Sequence, residues 1–403
     1  MKTTRFTFIL CSLVTALLLT VVITVDAQAA APEINLIDGC VENYDPTVDY
    51  FPAKATVDYA NNFDVEYFNN YKVVTMLPWV GAETPLQYVL VQCGTPAPEG
   101  YADIPTFEIP IQRFVTMSTS MLPHLDDQGL LDHLVGVDTT LYTSNEDVLA
   151  LVAAGDVAEI GGGGTGGEIN FELLISIEPD LVMAQEFFAG GTTLAQLNDA
   201  GVPAVLNADY TDTSPLGQAE WGKYIALFFN TEAAANELFA GVAERYTALT
   251  MLATDVATRP TAITASPFSG VWYMPGGDST IAQLLADAGA DFLWAEMPGT
   301  SNPLDFEVVL EQGAEAEFWV NVNQFWSTQA QMLADDSRFA AFAAFQTGNL
   351  WNNNLRMNIN GGSDYFETGA AHPDLILADL IKIFHPELLP DHEFYFYQQL
   401  GAE

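Results

Sequence analysis

The sequence predicts an α/β protein, two Rossmann-like α/β lobes joined by a long rigid helix, with a β-rich extension in front of them. Three observations carry this reading. Short apolar runs such as His133–Val137 and Asp180–Ala184 alternate with helical segments, the pattern of parallel βαβ units. The alternation occurs twice, on either side of a stretch over 215–256 where apolar residues recur at helical spacing without a strong break. The 403 residues are also 49% hydrophobic, which is apolar material enough for one large core or two medium ones.

Residues 1–29 read as a signal peptide. Lys2 and Arg5 form a basic start, an apolar run follows to Val25, and Ala27-Gln28-Ala29 offers a small-x-small cleavage site. An uncleaved membrane anchor is the alternative, because twenty apolar residues can span a bilayer. Either way the body lies outside the cytoplasm, in the periplasm or at the cell surface. The β-rich extension covers 30–105. Its alternating runs Tyr71–Met76 and Tyr88–Gln92 are bounded by turn signals such as Asn69-Asn70 and Cys93-Gly94-Thr95-Pro96. An N-terminal α/β lobe follows over 106–213, with strands at Arg113–Met117, His133–Val137, Asp180–Ala184 and Pro203–Leu206. Residues 214–257 form the connecting helix. The C-terminal α/β lobe, 258–403, has strands at Thr261–Ala265, Asp291–Trp294 and Phe318–Val322, and a last helix over Pro373–Phe384.

Lysine and arginine number 11 against 53 aspartates and glutamates, a formal net charge of −42 spread along the whole chain. Such a surface repels nucleic acid and anionic membranes and reads as a solvated acidic coat. Cys40 and Cys93 remain after the leader and are a disulfide candidate in an oxidising compartment, with two unpaired buried thiols as the alternative. The five histidines show no close metal-ligand spacing, so no resident metal site is expected.

One device recurs in both lobes. Asn170-Phe171-Glu172 opens a helix leading into Pro179-Asp180-Leu181-Val182, and Asp305-Phe306-Glu307 opens one leading into Glu317-Phe318-Trp319-Val320. Asn and Asp suit the N-cap, and the helix dipole favours a glutamate in the first turn. Good capping alone explains either case; the recurrence places one carboxylate at an equivalent corner of each lobe, a two-point docking surface.

The stretch from Arg113 to Ala184, with Leu134-Val135-Gly136-Val137 and Glu178-Pro179-Asp180-Leu181-Val182 in order, resembles the N-lobe of ABC-transporter substrate-binding proteins of the iron-siderophore and cobalamin family, the class III periplasmic binding proteins with a helical backbone. In the second half Glu317–Asn321, Asn360–Glu367 and Pro373–Leu380 extend the resemblance over nearly the whole mature chain. It implies a small-molecule metal complex such as a ferric siderophore as ligand, with cobalamin or haem as alternatives, and no cofactor. It implies an ABC permease dimer as partner, met by Glu172 and Glu307, and a protein monomeric when soluble.

Loops after the strands face the cleft in such a fold. Paired aromatics there, Phe187-Phe188, Phe268 with Trp272-Tyr273, and Phe325-Trp326, are candidate ligand-binding residues, although such pairs also serve as packing. Arg356 is a candidate contact for an anionic ligand group, with a carboxylate partner as the alternative; Tyr365 is a further candidate. The run Gly161–Gly167 lacks the Lys-Ser/Thr ending of a phosphate loop and reads as a flexible rim. No Gly-x-Ser-x-Gly elbow or catalytic-cysteine signature appears, so an enzyme such as a hydrolase is disfavoured. A ligand-binding receptor or sensor that feeds no permease is the remaining rival.

Overall fold

The computed structural model describes residues 31–79, 81–162, 167–186 and 190–402. The leader 1–29, most of the glycine run, and Phe187 and Phe188 lie outside these residues.

The extension forms a four-stranded sheet in the order β1-β2-β3-β4, built from β1 (Phe63–Tyr67), β2 (Tyr71–Met76), β3 (Leu86–Gln92) and β4 (Thr106–Ile109). The first three strands are antiparallel, and β4 joins parallel to β3. Cys40 and Cys93 are joined by a disulfide across 53 residues of chain.

The N-lobe sheet is wholly parallel, in the order β7-β6-β5-β8-β9, from β5 (Phe114–Thr116), β6 (Leu134–Val137), β7 (Ala158–Glu159), β8 (Leu181–Ala184) and β9 (Ala204–Leu206). Every residue of β5, β8 and β9 is buried, as strands covered on both faces require. The C-lobe has two sheets. A hairpin sheet, β11-β12-β14, is made by β11 (Pro267–Phe268), β12 (Val271–Met274) and β14 (Asn302–Leu304). The main sheet runs β13-β10-β15-β16-β17 and contains β10 (Thr261–Thr264), β13 (Asp291–Phe292), β15 (Phe318–Val320), β16 (Leu350–Asn352) and β17 (Gln398–Gln399). It is parallel except for its edge strand β17.

The connecting segment is two helices, Pro215–Phe229 and Glu232–Thr254, rather than the single helix expected over 214–257. Asn230 takes a left-handed conformation (φ 59°) and ends the first. Its side chain explains the break: it donates to the Leu36 carbonyl and to Gln92, and accepts from Lys72. Trp221, Tyr224 and Phe228 of the first helix join the N-lobe core. Phe239, Val242 and Tyr246 of the second join the C-lobe core. The first helix packs mainly on the N-lobe, with Leu216 and Ala219 reaching the C-lobe core, and the extension grips both its middle and the junction.

That grip is ionic and buried. Lys72 pairs with Glu232, both side chains fully inaccessible, and Lys72 also donates to the Leu227 carbonyl. Glu220 accepts the backbone N–H groups of Asp58, Tyr59 and Ala60 and an ion pair from Lys223. Burial works to neutralise Lys72 and pulls it below the ordinary lysine range, against the attraction of Glu232.

Candidate ligand-binding cleft

The carboxyl ends of both parallel sheets face one cleft of about 850 Å³ between the lobes. From the N-lobe come Ser118 and Ser120 after β5, Gln185 after β8, and Asp209 to Thr213 after β9. From the C-lobe come Ala265 and Ser266 after β10, Asn321 and Val322 after β15, and Asn353 after β16, with Tyr365 and Phe366 closing one side. Open α/β sheets bind ligands at this edge. A second hollow of about 760 Å³ lies under the extension, against Pro179 and Pro203. It sits at the opposite, amino ends of β8 and β9, away from the loops that vary with function.

The N-lobe wall is a wired network. Asp209 accepts from the Ser120 hydroxyl at 2.7 Å, from the Gln185 amide at 2.6 Å and from the Tyr210 backbone N–H at 2.7 Å. Asp212 accepts from the Trp221 indole at 2.6 Å and from the Asn61 backbone N–H at 2.7 Å. Both carboxyls are buried, and desolvation raises both above the ordinary aspartate range although their hydrogen bonds pull the other way.

The C-lobe wall is neutral. Ala265 (φ 62°) and Asn321 (φ 49°) both turn left-handed directly after their strands, a conformation that costs a residue with a Cβ about 1 kcal/mol. Tryptophans hold these turns from behind. Trp319 donates to the Ala265 carbonyl and Trp272 to the Thr264 carbonyl, and the two rings stack. Asn352 and Asn354 pin the following loop by donating to the carbonyls of Asn323, Gln324 and Trp326. The Asn321 side chain reaches the hydroxyls of Tyr365 and Tyr397, while its Oδ1 is buried without a hydrogen-bond partner. Desolvation pushes the Tyr365 hydroxyl up to about 12.

The lobes are also stitched beside the cleft. Glu367 accepts the backbone N–H groups of Ser144 and Asn145, Asn358 donates to the carbonyls of Leu141 and Thr143, and His372 pairs with Asp127 at 2.8 Å.

Of the residues expected to bind ligand, the structure brings Tyr365 to the cleft and sets the other described ones elsewhere. Trp272 is wholly buried in the C-lobe core. Phe268 and Trp272 belong to a hairpin whose two-residue turn, Ser269-Gly270, has positive φ at both positions. Strand alternation then points Trp272 inward and Tyr273 outward, with Phe268 and Tyr273 both exposed. Trp326 is buried against Phe339 and donates to Asp335, while Phe325 is exposed outside the lining. Arg356 pairs with Asp364 at 2.5 Å and lies over the Tyr395 ring. The sequence reading passed over Ser120, Gln185, Asp209, Asp212 and Asn321. Their signal was position, as polar residues closely following predicted strands.

Glu172 and Glu307 are both exposed in the first turns of helices, Phe171–Ser176 and Phe306–Gly313, that feed topologically equivalent strands β8 and β15. Asn170 caps its helix by accepting from the Leu173 N–H, whereas the Asp305 side chain makes no capping bond. Glu307 pairs with Arg338 at 2.9 Å.

A sequence model described as periplasmic binding protein matches residues 115–352, more than half of the chain. The chain belongs to that family. An uncharacterized lipoprotein of Methanocaldococcus jannaschii is 22% identical over 305 residues, which cover 73% of this chain and 70% of the relative. Among solved structures, a periplasmic heme-binding protein from Pseudomonas aeruginosa is similar with a TM-score of 0.54 and 18% identity, over 73% of this chain and 99% of its own. The molybdate periplasmic binding protein of a Haemophilus influenzae ABC transporter has a TM-score of 0.52 and 18% identity, over 70% and 89%. These likenesses establish the two-lobed fold. Among the described residues no helix is long and apolar enough to cross a membrane, and no cluster of histidine, cysteine and carboxylates could hold a metal ion.

Proposed function

We propose that this protein is the extracytoplasmic solute-binding component of an ABC importer. It captures a chelate of the iron(III)-siderophore type between its lobes and presents it to a permease dimer through Glu172 and Glu307. The observation that carries the reading is the cleft itself: about 850 Å³, at the carboxyl edges of two parallel sheets, lined by hydroxyls, amides and two aromatic tyrosines. The size suits a chelate rather than a bare ion, and no metal-holding cluster competes for that role among the described residues. Cobalamin is the alternative ligand.

Two experiments test it. Tryptophan fluorescence of the mature chain, titrated with ferric chelates and cobalamin, reports capture; Trp221, Trp272 and Trp319, hydrogen-bonded to the lining residues Asp212, Thr264 and Ala265, are the reporters. Saturable quenching by one class supports the reading, and none by any class sinks it. In cells carrying the cognate permease, the double variant Glu172→Lys and Glu307→Lys should reduce uptake to background while binding in solution is unchanged. Uptake that persists would favour a sensor that feeds no permease.

A further inference from the structure

Charge separates the chelates that such a cleft can accept. Among the described residues lining it there is no lysine, arginine or histidine, and there are two buried carboxyls, Asp209 and Asp212. Every lysine and arginine in the described residues is committed elsewhere. All but Arg113 and Lys382 pair with carboxylates, and those two donate to backbone carbonyls. Arg356, the cation best placed by sequence to meet an anion, is held by Asp364 away from the lining. The segments 163–166 and 187–189 contain no ionisable side chain.

The rest of the molecule adds to the same sign. With a formal charge of −42, the approach to the cleft is through a negative potential, and nothing local reverses it. An anionic chelate would shed its water beside two carboxyls without gaining a cation. A neutral or cationic one that carries N–H or O–H groups meets the hydroxyl and amide walls without that cost.

We propose that the cleft selects metal chelates that are neutral or cationic and carry hydrogen-bond donors on their outer face, and rejects polyanionic ones. This rests on the solute-capture reading above and narrows it: neutral ferric tris-hydroxamates and cobalamin are admitted, while ferric tris-catecholates, haem with its two carboxylates, and oxyanions such as molybdate are excluded.

The test is a charge-graded titration of the mature protein at physiological and at high salt. The probes are a neutral ferric tris-hydroxamate, an amine-bearing cationic analogue of it, cobalamin, a ferric tris-catecholate, haem and molybdate. The expected result is saturable binding of a neutral or cationic probe, with the anionic probes weaker by about a hundredfold or more at physiological salt. The variant Gln324→Arg adds a cation at the half-buried cleft edge, with circular dichroism as the folding control. It should gain the ferric tris-catecholate by about tenfold or more and lose that gain in high salt. Equal or tighter binding of an anionic probe by the parent overturns charge selection and leaves solute capture standing. Failure of a folded Gln324→Arg protein to gain the anionic probe also overturns it. If no probe of any charge binds, the capture reading falls and the narrower proposal with it.

Discussion

The N-lobe meets the cleft with a network of Ser120, Gln185 and Asp209 and a second buried carboxyl at Asp212, whereas the C-lobe meets it with Asn321, Asn353, Tyr365 and Phe366, none of them charged. The same asymmetry runs through the supports. Behind the N-lobe, Lys72 of the extension pairs with Glu232, and the helix's own pair Lys223–Glu220 is buried beneath the extension. The C-lobe holds its strand-end turns with tryptophan rings, and its own buried carboxyls, Asp364 and Asp379 among them, lie outside the cleft lining. The two cleft walls therefore use different physics. A buried charge must be satisfied at every lone pair, so the N-lobe wall is fixed by its partners. The C-lobe wall is fixed by packing and amide bonds and carries no such obligation.

The strongest way to break this contrast is Lys72→Met. It strands Glu232 in the core with only Asn35 and Tyr67 as neutral partners. The expected loss is about 3–5 kcal/mol, read as a lower denaturant midpoint with loosening of the extension first. A loss below about 1 kcal/mol would show that the extension is held by its apolar contacts instead.

A smaller effect is expected at the seam between the lobes. Burial pushes Glu367 from 4.5 up to about 7, against the pull of the Ser144 and Asn145 N–H groups. The folded protein therefore favours its protonated form. That contribution is fully present below 4.5 and is lost as pH rises through about 7. His372 acts in the same sense: burial works against its charge, but Asp127 outweighs burial and raises it, so its contribution also fades as pH rises past 6.5. Glu367→Gln cannot ionise; it keeps an acceptor for one of the two N–H groups, which bond to different carboxylate oxygens, and loses the other bond at every pH. Its stability should fall less than the parent's between about pH 5 and about pH 8, by up to about 3 kcal/mol. Parallel thermal curves for the two proteins over that range would remove Glu367 as the titrating group. His124, buried and depressed to about 4, works oppositely, destabilising the fold as pH falls from 6.5, and separates the two ends of the profile.

The smallest effect sharpens the comparison on the C-lobe side. Arg338 is half exposed but also pairs with Asp336 and lies over the Phe306 ring, so Arg338→Ala should lower stability only slightly, read as a small fall in the thermal midpoint. Freed of its partner, Glu307 becomes available to a basic pocket on the permease, and uptake at limiting permease should rise. Reduced uptake would mean that Arg338 orients Glu307 rather than competing for it.

The sequence by itself determined the two-fold run of parallel strands, the β-rich extension and the paired helix starts at Glu172 and Glu307. These follow from periodicity and capping, which are local. The disulfide between Cys40 and Cys93 could be named as a candidate because few cysteines remain, though their approach is a property of the folded extension. What only the tertiary structure decided is which side chains share the cleft. Trp272, Tyr273 and Trp326 follow predicted strands and so are expected there, yet a hairpin turn at Ser269-Gly270 sends Trp272 into the core and Tyr273 to solvent. Arg356 was open to either an anion or a carboxylate, and Asp364, eight residues away, took it. Ser120, Gln185 and Asp209 are separated by up to 89 residues and become one network only when β5, β8 and β9 lie side by side. The reason is physical. Secondary structure is chosen by the neighbours in sequence, whereas the charge of a cavity is a sum over strand ends that meet only in the folded chain, after each cation has found its partner.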